Sequence, residues 1–180
     1  METRLICSGL GGQGVMMIGQ LLGYAVSSNK NTYVTFYPSY GFEMRGGSAN
    51  CYVVLSDNAI GAAKFSKTEH LIALSESALD DYLDCVVPGG HVYVNSSIVK
   101  REIDRSDLHI HYVDAMRLAQ SAGAKRSANL VMLGAFVEES NALKPEDIVA
   151  AMNFKFKKAS DEAKDANIKA FEEGRKSIVK

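Results

Sequence analysis

Apolar and polar positions along this chain of 180 residues fall into two alternating regimes. Short apolar runs bounded by turn residues predict strands. The first is Leu5-Ile6-Cys7-Ser8, the second Thr32-Tyr33-Val34-Thr35-Phe36-Tyr37 with Pro38 as its end, and the third Ala49 to Leu55, closed by Ser56-Asp57-Asn58. Longer stretches with apolar residues on several faces predict helices. Gly14 to Ser27 carries Val15, Met16, Met17, Ile18, Leu21, Leu22, Ala25 and Val26, so this helix is expected to be sandwiched rather than half exposed. Beyond residue 70 the pattern becomes βα repetition, with strands at Leu71–Leu74, His91–Val94 and Ile110–Val113 and an amphipathic helix at Ser77–Leu83. Pro88-Gly89-Gly90 reads as the turn that delivers the chain into a strand.

Three later segments complete the pattern. Ala128 to Val137 is a helix with almost no polar face, which has to be covered by its own domain or by another chain. Lys144-Pro145-Glu146-Asp147-Ile148 is a helix start, with proline early and acids in the first turn. Lys155 to Lys180 reads as one charged helix that docks through Phe171 and Ile178, with Lys155, Lys157 and Lys158 on a solvated face. No repeat, linker or low-complexity run interrupts the chain. The expected fold is α/β: a single Rossmann-like domain over residues 1–180, with a mostly parallel sheet flanked by helices.

The glycines are where chemistry enters. Gly9, Gly11 and Gly14 fit G-x-G-x-x-G between the first strand and the first helix, and Gly12 and Gln13 complete the turn. Residues without Cβ let backbone amides approach a phosphate at the positive end of a helix dipole, although the same glycines also close any tight strand-to-helix turn. A dinucleotide dehydrogenase would carry an acid about 20 residues further on for the ribose, and Phe36-Tyr37-Pro38-Ser39 stands there instead, which argues against NAD. A second shaped stretch follows at Ser39, Tyr40, Gly41, Glu43, Arg45, Gly46 and Gly47, where an ordered charge pair, an anion-facing guanidinium and a merely solvated surface turn are all readable. Gly19 and Gly23, four apart inside the first helix and each costing about 1 kcal/mol there, imply a close approach by the sheet or by a partner subunit.

Composition narrows the class. Apolar residues make up 47% and charged residues 23%, a globular balance that excludes a disordered chain. The net charge of −1 supplies no global field for nucleic acid or an anionic membrane. Cys7, Cys51 and Cys85 are odd in number and lack a C-x-x-C pair, which argues against a disulfide framework or a thiolate-bound cluster and suits a reducing cytoplasm. No run is apolar enough to span a bilayer, and Met1-Glu2-Thr3-Arg4 leads straight into a strand without a leader.

No catalytic group is singled out: there is no G-x-S-x-G elbow and no spaced acid pair. His109 and His111 share one face of a strand, but no third ligand is suggested nearby and His70 and His91 are remote, so no metal site is assigned. Ser75, Asn95, Ser96 and Asp114 fall at strand ends along the expected carboxyl rim of the sheet, where helix capping is the commoner role.

With both glycine stretches in view, Gly9-Leu10-Gly11-Gly12-Gln13-Gly14 followed by Pro38-Ser39-Tyr40-Gly41-Phe42-Glu43-Met44-Arg45-Gly46-Gly47 resembles the gamma subunit, or gamma domain, of 2-oxoacid:ferredoxin oxidoreductases. The likeness continues through Asn129–Gly134 and Asn167–Phe171 and so covers essentially the whole chain; its wording is nearest the 2-oxoglutarate and branched-chain 2-oxo acid types, with the indolepyruvate type related. The resemblance implies a heteromeric enzyme of anaerobic metabolism that decarboxylates a 2-oxo acid with coenzyme A to acyl-CoA, carbon dioxide and reduced ferredoxin. It also implies thiamine diphosphate and iron–sulfur clusters on alpha, beta and ferredoxin-like delta partners, and a coenzyme A role for this part. The glycine turn and Arg45 are then the expected phosphate contacts or a contact to a neighbouring subunit. A purely structural assembly subunit and an independent nucleotide-dependent oxidoreductase are the competing readings.

Overall fold

A computed structural model describes residues 2–27, 32–41 and 47–178. In chain order the elements are β1 (Glu2–Leu10), α1 (Val15–Ser27), β2 (Tyr33–Tyr40), β3 (Ser48–Ser56), β4 (Thr68–Ala73), α2 (Glu76–Tyr82), a short 3-10 turn (Leu83–Cys85), β5 (Val86–Asn95), β6 (His109–Val113), α3 (Ala115–Ser121), α4 (Ala128–Ser140), α5 (Pro145–Lys155) and α6 (Asp161–Lys176). The six strands form one sheet in the order β2-β3-β1-β4-β5-β6. Pairing is parallel from β1 through β4 and β5 to β6, and antiparallel where β3 meets β1 and β2, so β3 alone runs against the other five. The expectation of a mostly parallel α/β sheet holds.

Alternation along the strands sends successive side chains to opposite faces. Leu5, Cys7, Ile72 and Tyr93 point to the face that buries α1, α3, α4, α5 and α6. Ile6, Leu71, Ala73, Val92 and Val94 point to the other, covered by α2 through Ala78 and Leu79 and by Val99 and Leu108. Helix α4, apolar all round, is buried from Asn129 to Val137 within its own chain. Its close partner is α6, and two glycines let the backbones meet. A Cβ on Gly134 would lie 2.0 Å from the Phe171 carbonyl oxygen, and one on Gly174 would lie 1.9 Å from that of Val131. In α1, Gly19 is needed because the Phe36 ring of β2 would stand 2.3 Å from its Cβ, whereas Gly23 faces open space. Among the described residues no helix is long and apolar enough to cross a membrane.

The structure corrects several sequence expectations. Pro38 does not end β2, which continues to Tyr40. The strand lies at the sheet edge, where one side of the ladder is unpaired and a missing N–H is tolerated. Pro88-Gly89-Gly90 does not precede a strand but bulges out of β5: pairing with β4 jumps from Thr68↔Val86 to His70↔His91, and Gly89 takes φ 80°. The charged tail is not one helix. α5 ends at Lys155, and α6 starts afresh after Ser160, whose hydroxyl accepts from the Ala163 amide at 3.3 Å. Finally, α1 does not lead into a parallel neighbour of β1. The antiparallel β3 occupies that place, so the strand on which a ribose-binding acid was sought is not beside the glycine turn.

Candidate functional site

β1 ends in the glycine turn at the carboxyl edge of the parallel strands, and each glycine has its own reason. A Cβ on Gly9 would meet Gln13 Oε1 at 2.5 Å and Leu74 Cβ at 2.8 Å. Gly12 and Gly14 adopt φ 94° and 81°, a left-handed backbone that side chains disfavour. Behind Gly14 stands Asn129 at the start of α4, whose Nδ2 donates to the Gly14 carbonyl at 3.3 Å. Gln13 is fully engaged by the protein: its Oε1 accepts from the Leu10 amide at 2.6 Å and its Nε2 donates to the Leu74 carbonyl at 3.0 Å. That side chain stitches β1 to β4, a framework role.

The second glycine stretch is carried to the first by strand register. Because Leu10 pairs with Ser48 and Tyr40 with Ala49, the β2–β3 connection opens beside the glycine turn. The Gly47 carbonyl accepts from the Gly11 amide at 2.9 Å, and the Gly41 amide donates to the Ser48 carbonyl at 2.8 Å. Ser39 and Tyr40 stay on the edge strand, about 10 Å from β1 across β3. Glu43, Arg45 and Gly46 lie outside the described residues.

Two of the turn's amides are therefore consumed internally, that of Gly11 by Gly47 and that of Gln13 by the Leu10 carbonyl at 3.1 Å. Among the described residues the amides of Gly12, Gly14, Val15 and Met16 meet no acceptor, which is the pattern of an open helix N-terminus. Beside Gly12 and Gln13 is a cavity of about 130 Å³ that is also lined by Asn95, Lys125, Arg126 and Asn129. Lys125 and Arg126 went unassigned in the sequence; the signal was two adjacent cations directly before an apolar helix. Of the rim residues, Asn95 reaches this cavity. Ser75 caps α2, its hydroxyl accepting from the Ala78 amide at 3.3 Å. Asp114 accepts from the Ser97 hydroxyl at 2.6 Å and from Arg117 Nε at 2.8 Å, and these contacts, led by Ser97, hold its carboxyl below the ordinary carboxylate range.

The four histidines, scattered in sequence, converge on the face packed by α4. His70, His91 and His109 are direct neighbours across β4, β5 and β6. His91, His111 and Glu139 place one ligand atom each within 4.8 Å of one another, a grouping that leaves out His109.

A family model described as pyruvate ferredoxin/flavodoxin oxidoreductase matches residues 4–177. The ketoisovalerate oxidoreductase subunit VorA of Methanothermobacter thermautotrophicus is 32% identical over 174 residues, covering 96% of this chain and 36% of that one, so this chain spans about a third of that relative. The 2-oxoglutarate synthase subunit KorC of Methanocaldococcus jannaschii is 32% identical over 176 residues and matches at nearly equal length, 97% of this chain and 92% of the other. Among solved structures, the gamma subunit of a keto/oxoacid ferredoxin oxidoreductase from Geobacter sulfurreducens superposes with a TM-score of 0.83 at 24% identity, over 98% of this chain and 96% of that one. The 2-oxoglutarate:ferredoxin oxidoreductase from Magnetococcus marinus with 2-oxoglutarate, coenzyme A and succinyl-CoA bound shares the fold at a TM-score of 0.88 and 21% identity, over 98% of this chain and 31% of that one. A glycine turn, Gly47 bonded to it and a six-stranded sheet with one reversed strand thus coincide with a match along almost the entire length, and the chain belongs to the pyruvate ferredoxin/flavodoxin oxidoreductase family, with the fold of its gamma subunits.

Proposed function

We propose that residues 1–180 form one gamma-type domain that works as the gamma component of a cytoplasmic 2-oxoacid:ferredoxin oxidoreductase, and that it helps to hold coenzyme A. The observation that carries this reading is the cavity lined by Gly12, whose amide meets no acceptor among the described residues, together with Lys125 and Arg126. A free N–H just before a helix start and two cations lining the same cavity are complementary to a phosphate group. About 130 Å³ accommodates phosphate oxygens and not a whole coenzyme, so the pantetheine arm would run along the surface toward a partner subunit. The chain's part is delivery: a thiol carrier anchored by its phosphates reaches the reacting carbonyl with less entropy to lose.

Redox chemistry is assigned to the alpha, beta and ferredoxin-like delta partners. Three cysteines cannot supply the four thiolates of an iron–sulfur cluster, and Cys7 and Cys51 are buried opposite each other on β1 and β3. Thiamine diphosphate and the clusters then belong to those partners, ferredoxin is met through the complex, and the isolated chain is inactive. The named relatives favour 2-oxoglutarate or a branched-chain 2-oxo acid as the oxidised substrate.

The test is steady-state kinetics of the assembled complex carrying Lys125→Ala or Arg126→Ala. Each change is expected to raise the apparent KM for coenzyme A about tenfold, the loss of one charge-assisted contact, while decarboxylation without coenzyme A is unchanged. An unaltered KM in both variants overturns the coenzyme role. The assembly reading is favoured by Tyr33, Tyr37 and Tyr40, exposed along the unpaired edge of β2. It predicts that the same variants are silent while Tyr37→Ser weakens association with the partner chains.

A further inference from the structure

Three elements meet on the sheet face packed by α4, at the end of that helix away from the glycine turn. β5 contributes His91, β6 contributes His111, and the last turn of α4 contributes Glu139. Their convergence follows from register. His91 pairs directly with His109, so His111, two residues further along, projects from the same face one diagonal step away. Glu139 lies three residues after Phe136, whose ring packs edge-on against His70 at 5.3 Å and Tyr93 at 6.0 Å; that contact seats the last turn of α4 over β5.

Two of the three ligand–ligand distances approach those of a coordination sphere, and all three fall within 4.8 Å. His91 Nδ1 stands 3.2 Å from His111 Nε2 and 3.5 Å from Glu139 Oε1. Ligand atoms about 2.0–2.1 Å from a tetrahedral ion are about 3.4 Å apart, so little movement is needed to admit one. Burial draws both imidazoles below their ordinary 6.5, although Glu139 opposes this, and so favours neutral rings; the two facing nitrogens share one N–H, and the donor ring takes its other tautomer when both bind the ion. His91 and Glu139 keep side-chain exposures of 22% and 23%, which leaves an approach for the ion and for a water on the fourth position.

We propose that His91, His111 and Glu139 form a binding site for one divalent first-row transition metal, zinc being the best fit to two imidazoles and a carboxylate. Bound there, the ion clips β5 and β6 to α4. The site is independent of the coenzyme reading, since it uses other residues and is probed without turnover.

The full-length chain, stripped with a chelator, is titrated with zinc against a chromogenic zinc indicator and with cobalt(II) by visible absorption. One equivalent is expected to bind, cobalt giving the d–d bands of a four- or five-coordinate ion, and His111→Gln and Glu139→Gln should each weaken binding at least about tenfold. His109→Gln, a ring stacked on His91 at 4.7 Å but outside the triad, should leave it unchanged. Should the triad variants not fold, nitrogen-15 shifts of the wild-type histidines on zinc addition replace them, with His91 Nδ1 and His111 Nε2 as the metallated atoms. Absence of stoichiometric binding, equal affinity in all variants, or metallation of other nitrogens overturns the proposal.

Discussion

The Gly11 amide donates to the Gly47 carbonyl at 2.9 Å, and this one bond ties together two glycine stretches that are more than thirty positions apart in sequence. It is possible because β3 runs antiparallel to β1 and begins where β1 ends, Leu10 facing Ser48. The bond also changes what the turn can offer a ligand. An amide that would serve an anion in a simple helix cradle is already occupied, and the open donors shift to Gly12 and to the first residues of α1.

The two left-handed glycines should respond differently to alanine. Gly12→Ala meets only the cost of its φ of 94°, because a Cβ there has nothing within 4 Å. Gly14→Ala meets that cost and also drives a Cβ to 2.5 Å from Asn129 Nδ2. Urea unfolding should show a loss of about 1–2 kcal/mol for the first and a clearly larger one for the second. Equal losses would mean that Asn129 gives way freely.

The α4–α6 crossing should be the least forgiving place for an added methyl group. Gly134→Ala and Gly174→Ala each put a Cβ within about 2 Å of a backbone oxygen of the facing helix, so the helices must part. About 3 kcal/mol or more of stability should be lost in chemical denaturation. Gly23→Ala, in open space on α1, is the internal contrast and should add about 0.5–1 kcal/mol through helix propensity.

Thiol labelling should follow burial. Cys7 and Cys51 are buried, and burial together with the neighbouring Cys51 thiol pushes the Cys7 thiol well above its usual range. Cys85, only partly buried, should react first with iodoacetamide, the other two remaining protected until denaturant is added. Mass spectrometry of the labelled chain gives the order; early modification of Cys7 would contradict the packing of β1 against β3.

Asp114 should titrate below the ordinary carboxylate midpoint of 3.8, chiefly because the Ser97 hydroxyl donates to it and secondarily because of Arg117. Its folded-state pKa is depressed, so its contribution to stability is present above that midpoint and is lost as pH falls through the folded value. Carbon-13 NMR of the carboxyl should move upward in Ser97→Ala and by less in Arg117→Ala. The opposite ranking would make the ion pair, and not the hydroxyl, the cause.

What the sequence determined by itself was local. The short apolar runs at Leu5–Ser8 and Ala49–Leu55, the nearly all-round apolar surface of Val15–Val26 and of Ala128–Val137, and the proline and acids at Pro145–Asp147 follow from single-chain patterning, and all became the expected elements. So did a glycine turn from the first strand into the first helix, read from Gly9, Gly11 and Gly14: the left-handed backbone at Gly12 and Gly14 is a local demand of so short a connection, whereas the crowding of Gly9 by Leu74 is tertiary. Tertiary structure decided everything that depends on which strand lies beside which. Reversal of β3 put Gly47 on Gly11, edge placement let Pro38 stay inside β2, and the β4-β5-β6 register drew four histidines and Glu139 to one face. Neither strand order nor register is written in the spacing of apolar residues, because every buried strand shows much the same pattern whatever its neighbour. Lys125 and Arg126 make the same point: on paper they are two cations before a helix, and only the fold brings them to line one cavity with Gly12.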